Sequence, residues 1–180
     1  ISYLFPRAHA VAYVMMAFRI AWFKVYHPLA FYAAYFSIRA KAFDLRIMTG
    51  DLKTQMTEFN RIKALDRGAS PKDKDLMSAL EVSMEMYQRG YRFVNVDIQH
   101  SEARRFSIKD GALLPPFLAI DSLGETVADA IVAEREERPF TSLKDLQRRC
   151  KVSNTIIDLM KELKCCGELP EDEQMSLFGA

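Results

Sequence analysis

The sequence predicts a mostly helical α+β fold, and three observations carry that prediction. Apolar residues recur at helical spacing through roughly the first 90 positions and again after Pro116. A short alternating stretch lies between them, and Gly, Pro, Ser and Asp fall at the joints. We divide the chain into a helical unit over 1–90, a second unit over 91–167 with paired helices at 117–164, and a disordered acidic tail over 168–180. A chain of 180 residues is long enough for one domain or two small ones with a sizeable core. The net charge of +1 means that any basic surface must be local. Cys150, Cys165 and Cys166 lack CxxC spacing and a nearby histidine, which argues for inert thiols in a reducing, cytoplasmic setting rather than a zinc site.

A long helix is expected over 6–26, where Ala8, Val11, Ala12, Met15, Met16, Ile20 and Phe23 form a wide apolar face. Arg7, His9, Arg19, Lys24 and His27 interrupt this segment, so we expect neither a membrane span nor a signal peptide but a buried helix pair. The chain opens at Ile1 without a methionine, which suggests a fragment of something longer. His27-Pro28 ends the first helix and starts a second over 29–40, where Ala30, Ala33 and Ala34 allow close approach. Asp51 caps a helix to about Arg67, and residues 68–71 read as a linker and a candidate hinge. The next helix, 72–89, ends at Gly90, a second candidate hinge. Residues 92–98 alternate like a strand, with 106–108 as partner; Lys109-Asp110-Gly111 turns into Ala112-Leu113-Leu114, giving a small mixed sheet. Helices follow over 125–136, 142–150 and 153–164, the last two capped by Thr141 or Ser142 and by Ser153. In the second of these, Leu143 and Leu146 should face inward, and Lys144, Arg148 and Arg149 outward.

Three segments carry the functional reading. The first is Ile120 to Ile131, with a tight turn at Gly124, Ser122 and Thr126 as candidate caps, and Glu125 in the first helical turn. Such a turn leaves backbone N–H groups outward, a way to hold phosphate without reading a base; on these residues alone, an ordinary capped helix after a glycine turn is the better explanation. With the turn at Val152-Ser153-Asn154 it makes two helix–turn–helix units whose spacing resembles a tandem helix-hairpin-helix module. The first carries Glu125 where that module has a second glycine or a hydrophobe, and the second has no glycine. The second segment is the tail, where Gln174, Met175, Leu177 and Phe178 follow an acidic stretch; it either docks on a partner or folds back on its own domain. In the third, Arg7 and His9 stand at a helix start, where cations are unfavourable without an anion such as a triphosphate.

Taken in order, these segments resemble the C-terminal part of the bacterial family C replicative DNA polymerases, the catalytic subunit of polymerase III. Phe5, Arg7, His9, Ala10, Ala12 and Tyr13 match that family's fingers motif, and residues 22–28 are similar to the segment that follows it. Val96-Asp97-Ile98 before Ser101, and Leu113 to Phe117, match the middle, while Gln174, Leu177 and Phe178 match a sliding-clamp peptide. A clamp peptide at the very end resembles the PolC-type branch of low-GC Gram-positive bacteria. The resemblance implies distal fingers over 1–90 and duplex binding over 91–167. Arg7 and His9 would face the incoming deoxynucleotide. Ser122, Leu123, Gly124, Glu125 and Thr126, with Lys144, Arg148, Lys151, Ser153 and Asn154, would hold primer–template duplex DNA, and Gln174, Met175, Leu177 and Phe178 the clamp. It also implies paired Mg²⁺ in a palm upstream of this chain, and an upstream exonuclease. On that reading these residues alone would not polymerise, and there is no membrane partner. A stand-alone helix-hairpin-helix adaptor that recruits partners to DNA is the competing class; it accounts for 117–167 and the tail but leaves the aromatic helix pair unexplained.

Overall fold

The computed structural model describes residues 7–172, and it is mostly helical with a small two-stranded sheet, as expected. In the first half, α1 (Arg7–Tyr26) leads through His27 into α2 (Pro28–Ile38), with Pro28 in the first turn where its missing N–H costs nothing. Short α3 (Leu45–Met48) precedes α4 (Leu52–Ala64), whose cap Asp51 accepts from the Thr54 N–H at 2.7 Å. Then comes α5 (Pro71–Gln88), opened by a reciprocal Ser70–Asp73 capping box and closed before Gly90, which takes a left-handed φ of 86°. Residues 68–71, expected as a linker, instead form the tight turn of an α4–α5 hairpin whose helices share one core. That core gathers Tyr32, Phe36, Met48, Ile62, Leu80, Met86, Phe93 and Leu113.

The sheet differs from expectation in its pairing. Strands β1 (Ser107–Lys109) and β2 (Ala112–Leu114) form an antiparallel hairpin around Asp110 and Gly111, both at positive φ. A two-residue Asp-Gly loop suits that geometry. Residues 92–98 contribute only a parallel bridge from Phe93 to Leu113 and lie beside β2, not beside 106–108. The extended run stops early because Asp97 folds the chain locally: its carboxylate accepts from the Gln99 N–H at 2.8 Å and its carbonyl from the Ser101 N–H at 2.8 Å.

The second half packs α6 (Glu125–Glu137), α7 (Leu143–Cys150) and α8 (Asn154–Glu162) around a second core of Val96, Ile98, Phe117, Ile120, Ile131, Leu146, Ile157, Met160 and Cys165. The two cores meet at a cluster of Phe36, Phe43, Phe93 and Phe106, whose rings touch edge-on or tilted at 4.9–6.2 Å. Edge-to-face contacts of this kind add to the burial they accompany.

Three further expectations are corrected. The first helix is not buried: no residue of α1 is, and Phe18 is 72% exposed. Its apolar side chains run all the way round, so α2 can cover only one side of it. By length and composition it is also long and apolar enough to cross a membrane, because Arg7, Arg19 and Lys24 are its only charged residues over 20 positions. Its C-terminal end is nonetheless tied to α5, through Lys24–Glu85 at 2.7 Å and the Arg89 guanidinium on the Lys24 carbonyl at 3.0 Å. Arg149 does not face outward; its side chain is 11% exposed, bonded to Glu134 and Asp145. The tail is not free from Glu168 onward: residues 168–172 lie against α7 and α8. Residues Gln174, Met175, Leu177 and Phe178 lie outside the described residues.

Candidate nucleic-acid interface

The two expected turns have one backbone design, repeated 29 residues apart. In the first, Ser122 is left-handed (φ 64°), Leu123 is buried and Gly124 is the N-cap of α6. In the second, Lys151 is left-handed (φ 54°), Val152 is buried and Ser153 is the N-cap of α8. Leu123 and Val152 therefore stand just before a cap and are buried in the same core as Ala128 and Ile157, the fourth residues of α6 and α8. Apolar residues at these two positions suit a staple across the cap that fixes the angle at which the chain enters a helix.

The glycine does not serve the turn in the way the sequence suggested. Gly124 has φ −76°, open to any residue, and the strained position is Ser122. Neither Ser122 nor Thr126 caps α6; Gly124 is its N-cap and offers no side-chain acceptor. The first N–H groups of α6 thus have no intrahelical partner and sit at an exposed surface. A Cβ built on Gly124 would meet nothing within 4 Å, so the space above the turn is open.

The second turn is closed. The Ser153 hydroxyl accepts from the Ile156 N–H at 3.4 Å, and the Asn154 side chain is held by Gln147. The two units also differ in charge. At the first, Arg104 from the loop before β1 binds both carboxylate oxygens of Asp129 and one of Glu125. These bonds hold the Asp129 carboxyl below its ordinary range. Sequence reading missed Arg104, since nothing in its neighbourhood marks it as reaching α6.

Between α6 and α7, Asp145 is buried and receives Arg148 at 2.9 Å and Arg138 and Arg149 at 3.2 Å. Burial raises its carboxyl, but hydrogen bonds from Arg148, the Thr141 N–H and Arg149 outweigh it, leaving it below the ordinary range. Arg148 therefore reaches solvent, 71% exposed, while anchored on a buried anion; Lys144 is 67% exposed and paired with Asp172, and Lys151 is exposed at its turn. Arg135 clamps the two regions together, donating to the Ile98 carbonyl at 3.0 Å and the Ser101 carbonyl at 2.9 Å.

The structure gathers Ser122 to Thr126, Lys144, Arg148, Lys151, Ser153 and Asn154 on elements packed around the second core. Arg7 and His9 are elsewhere, at the exposed start of α1, where the His9 ring stands edge-on to Tyr13 at 4.3 Å. Among the described residues no three His, Cys, Asp or Glu side chains gather to hold a metal ion. Asp97 is occupied by Lys109 at 2.6 Å and His100 at 2.9 Å. Burial pushes the Cys150 thiol up to about 11 and Cys165 up to about 12, so neither is a thiolate at neutral pH.

A family profile described as a helix-hairpin-helix motif matches residues 90–174. Curated relatives named DNA polymerase III PolC-type match nearly the whole chain. The one from Caldanaerobacter subterraneus subsp. tengcongensis is 48% identical over 178 residues, 99% of this chain and 13% of the relative. Those from Streptococcus suis and Streptococcus pyogenes are 49% and 46% identical over 181 residues, 99% of this chain and 12% of each relative. The chain thus spans about an eighth of the length of the relatives it matches, a small part toward their C-terminus.

Proposed function

We propose that this chain, similar over nearly all its length to a small C-terminal part of relatives named DNA polymerase III PolC-type, is the duplex-gripping and distal-fingers part of a replicative DNA polymerase. The observation that carries the reading is the α6 turn: an uncapped helix start, open above Gly124, in a chain whose relatives copy DNA. Phosphate oxygens would accept from the free N–H groups of residues 124–126, and the helix dipole would favour the negative charge. Arg148 and Lys151 would bind neighbouring phosphates. Such contacts set position along a duplex without choosing sequence. Ser153 already fills the equivalent place at α8, so the first turn is the phosphate site and the second supports it by packing.

Arg7 and His9 would face the incoming deoxynucleotide. Gln174, Met175, Leu177 and Phe178 would dock on the sliding clamp, with Leu177 and Phe178 each contributing roughly 1.5–3 kcal/mol on burial. On this reading the paired Mg²⁺ ions and the nucleotidyl transfer they serve belong to a palm upstream of this chain, and the enzyme acts in the cytoplasm; Asp97 is engaged by Lys109. The adaptor reading leaves α1 and α2 without a role.

The test is duplex binding by the full-length protein carrying Gly124→Ala. The substitution fits the φ of −76° and meets nothing within 4 Å, so the fold tolerates it while the methyl fills the phosphate's place. Duplex affinity should fall about tenfold, the worth of one charge-assisted hydrogen bond. Wild-type binding should weaken steeply with salt and little with sequence. An unchanged affinity for Gly124→Ala, or equal wild-type affinity at low and high salt, removes the reading.

A further inference from the structure

We propose that residues 168–172 form a tethered acidic plug on the cationic edge of the second hairpin unit, displaced when duplex backbone arrives. The proposal rests on the reading of Lys144 as a duplex contact. Gly167, at φ 60°, turns the chain back after Cys166, and Leu169 packs against the second core. The Pro170 carbonyl then accepts from the Leu143 N–H at 2.8 Å, and the Glu171 carbonyl from the Lys144 N–H at 3.2 Å. These are first-turn donors of α7 that a helix cannot satisfy from within. Two ion pairs complete the contact, Asp172 on Lys144 and Glu171 on Lys161.

The arrangement is specific in its main chain and weak in its charges. Asp172 and Glu171 are 61% and 77% exposed, and exposed pairs of this kind are individually weak and screened by salt. A shallow groove of about 440 Å³ beside them is lined by Leu143, Lys161, Lys164, Leu169 and Glu171, so a third ammonium stands at the same edge. A phosphate approaching Lys144 competes with Asp172 for one cation. A backbone that tracks on to Lys161 competes with Glu171 as well. Once both carboxylates are displaced, the two carbonyl contacts and the packing of Leu169 are left to hold the segment, and release adds five residues of reach, roughly 17 Å when extended, to whatever follows Asp172. Duplex occupancy would thereby set how far the end of the chain can search for a partner.

Two measurements on the full-length protein test this. Hydrogen exchange at the Leu143 and Lys144 amides, with and without a primer–template duplex, reads the carbonyl contacts directly; both amides should exchange faster with duplex bound. The double variant Glu171→Gln/Asp172→Asn should bind the same duplex about fivefold more tightly at low salt, a gap that closes at high salt. Glu168→Gln is the control for bulk charge, since Glu168 forms no ion pair among the described residues, and it should change affinity less than half as much. Duplex binding with unchanged or increased protection at Leu143 and Lys144 overturns the plug and leaves the duplex-binding reading intact. Absence of duplex binding in every variant overturns both.

Discussion

Asp145 sits at the start of α7 with its side chain fully buried, and three guanidinium groups converge on it. A buried carboxylate so surrounded is costly to break, because its removal leaves cations facing a hole shaped for an anion. Asp145→Asn should therefore lower unfolding stability at pH 7 by about 3 kcal/mol, measured by urea titration. The pH dependence follows from the direction of its shift. Its folded carboxyl titrates below the unfolded value of about 3.9, so the stabilisation is complete above that value and is lost as pH falls through the folded one. Wild type and variant should converge in acid; a constant gap down to pH 2 would assign the loss to packing instead. Ser142, as a cap, was legible in the sequence, and so was the inward Leu146. The charge network was not, since Arg138, Arg148 and Arg149 look like a solvated face until α6 and α7 are packed together. Gly124 shows the same limit. A glycine in a turn suggests a left-handed backbone, yet that conformation fell to Ser122, and the missing Cβ matters for the space it leaves.

At the scale of elements, what was readable was what chemistry fixes locally. Asp51 and Ser153 each accept from a first-turn N–H as their position before an apolar run implies. The Asp-Gly loop set the β1–β2 hairpin and its register. Residues 92–98 alternate as a strand should, but alternation names a face and not a neighbour. The segment pairs with Leu113 and then breaks at the Asp97 turn. Residues 68–71 carry every mark of a linker, yet Ser70 is half of a capping box in a helical hairpin. That box gives a clean test of whether α5 depends on its start. Ser70→Ala should cost about 1 kcal/mol of stability, and Ser70→Gly only a few tenths. Equal losses for the two would point to packing of the turn and not to the cap.

At the scale of the whole molecule, α1 presents an apolar surface that the other described residues leave open. Apolar side chains encircle α1, and a helix of that kind is normally enclosed by protein on every side. Here α2 covers one side and leaves an apolar groove of about 680 Å³ between Ile20, Phe23, Phe31, Ala34 and Ile38. The relatives are about eight times as long as this chain, so under the proposed function there is ample further protein to cover it. Burial of α1 was expected from the sequence and is absent among the described residues; on the proposed function it is supplied by the rest of a longer protein. The prediction is that Phe18, 72% exposed here, is covered in the full-length protein. Cysteine at position 18 reports on it without interference from Cys150, Cys165 or Cys166, all buried with thiols shifted away from reactivity. In native full-length protein, Phe18→Cys should react with a maleimide at least tenfold more slowly than after unfolding in urea, read by mass spectrometry of the peptide containing it. Ile108→Cys, on the open face of β1 and 49% exposed, is the internal reference for a site that this chain leaves to solvent. If position 18 reacts as fast in the native protein as in urea, α1 is a free surface in the full-length protein, and its ring of apolar side chains is then available to a separate partner.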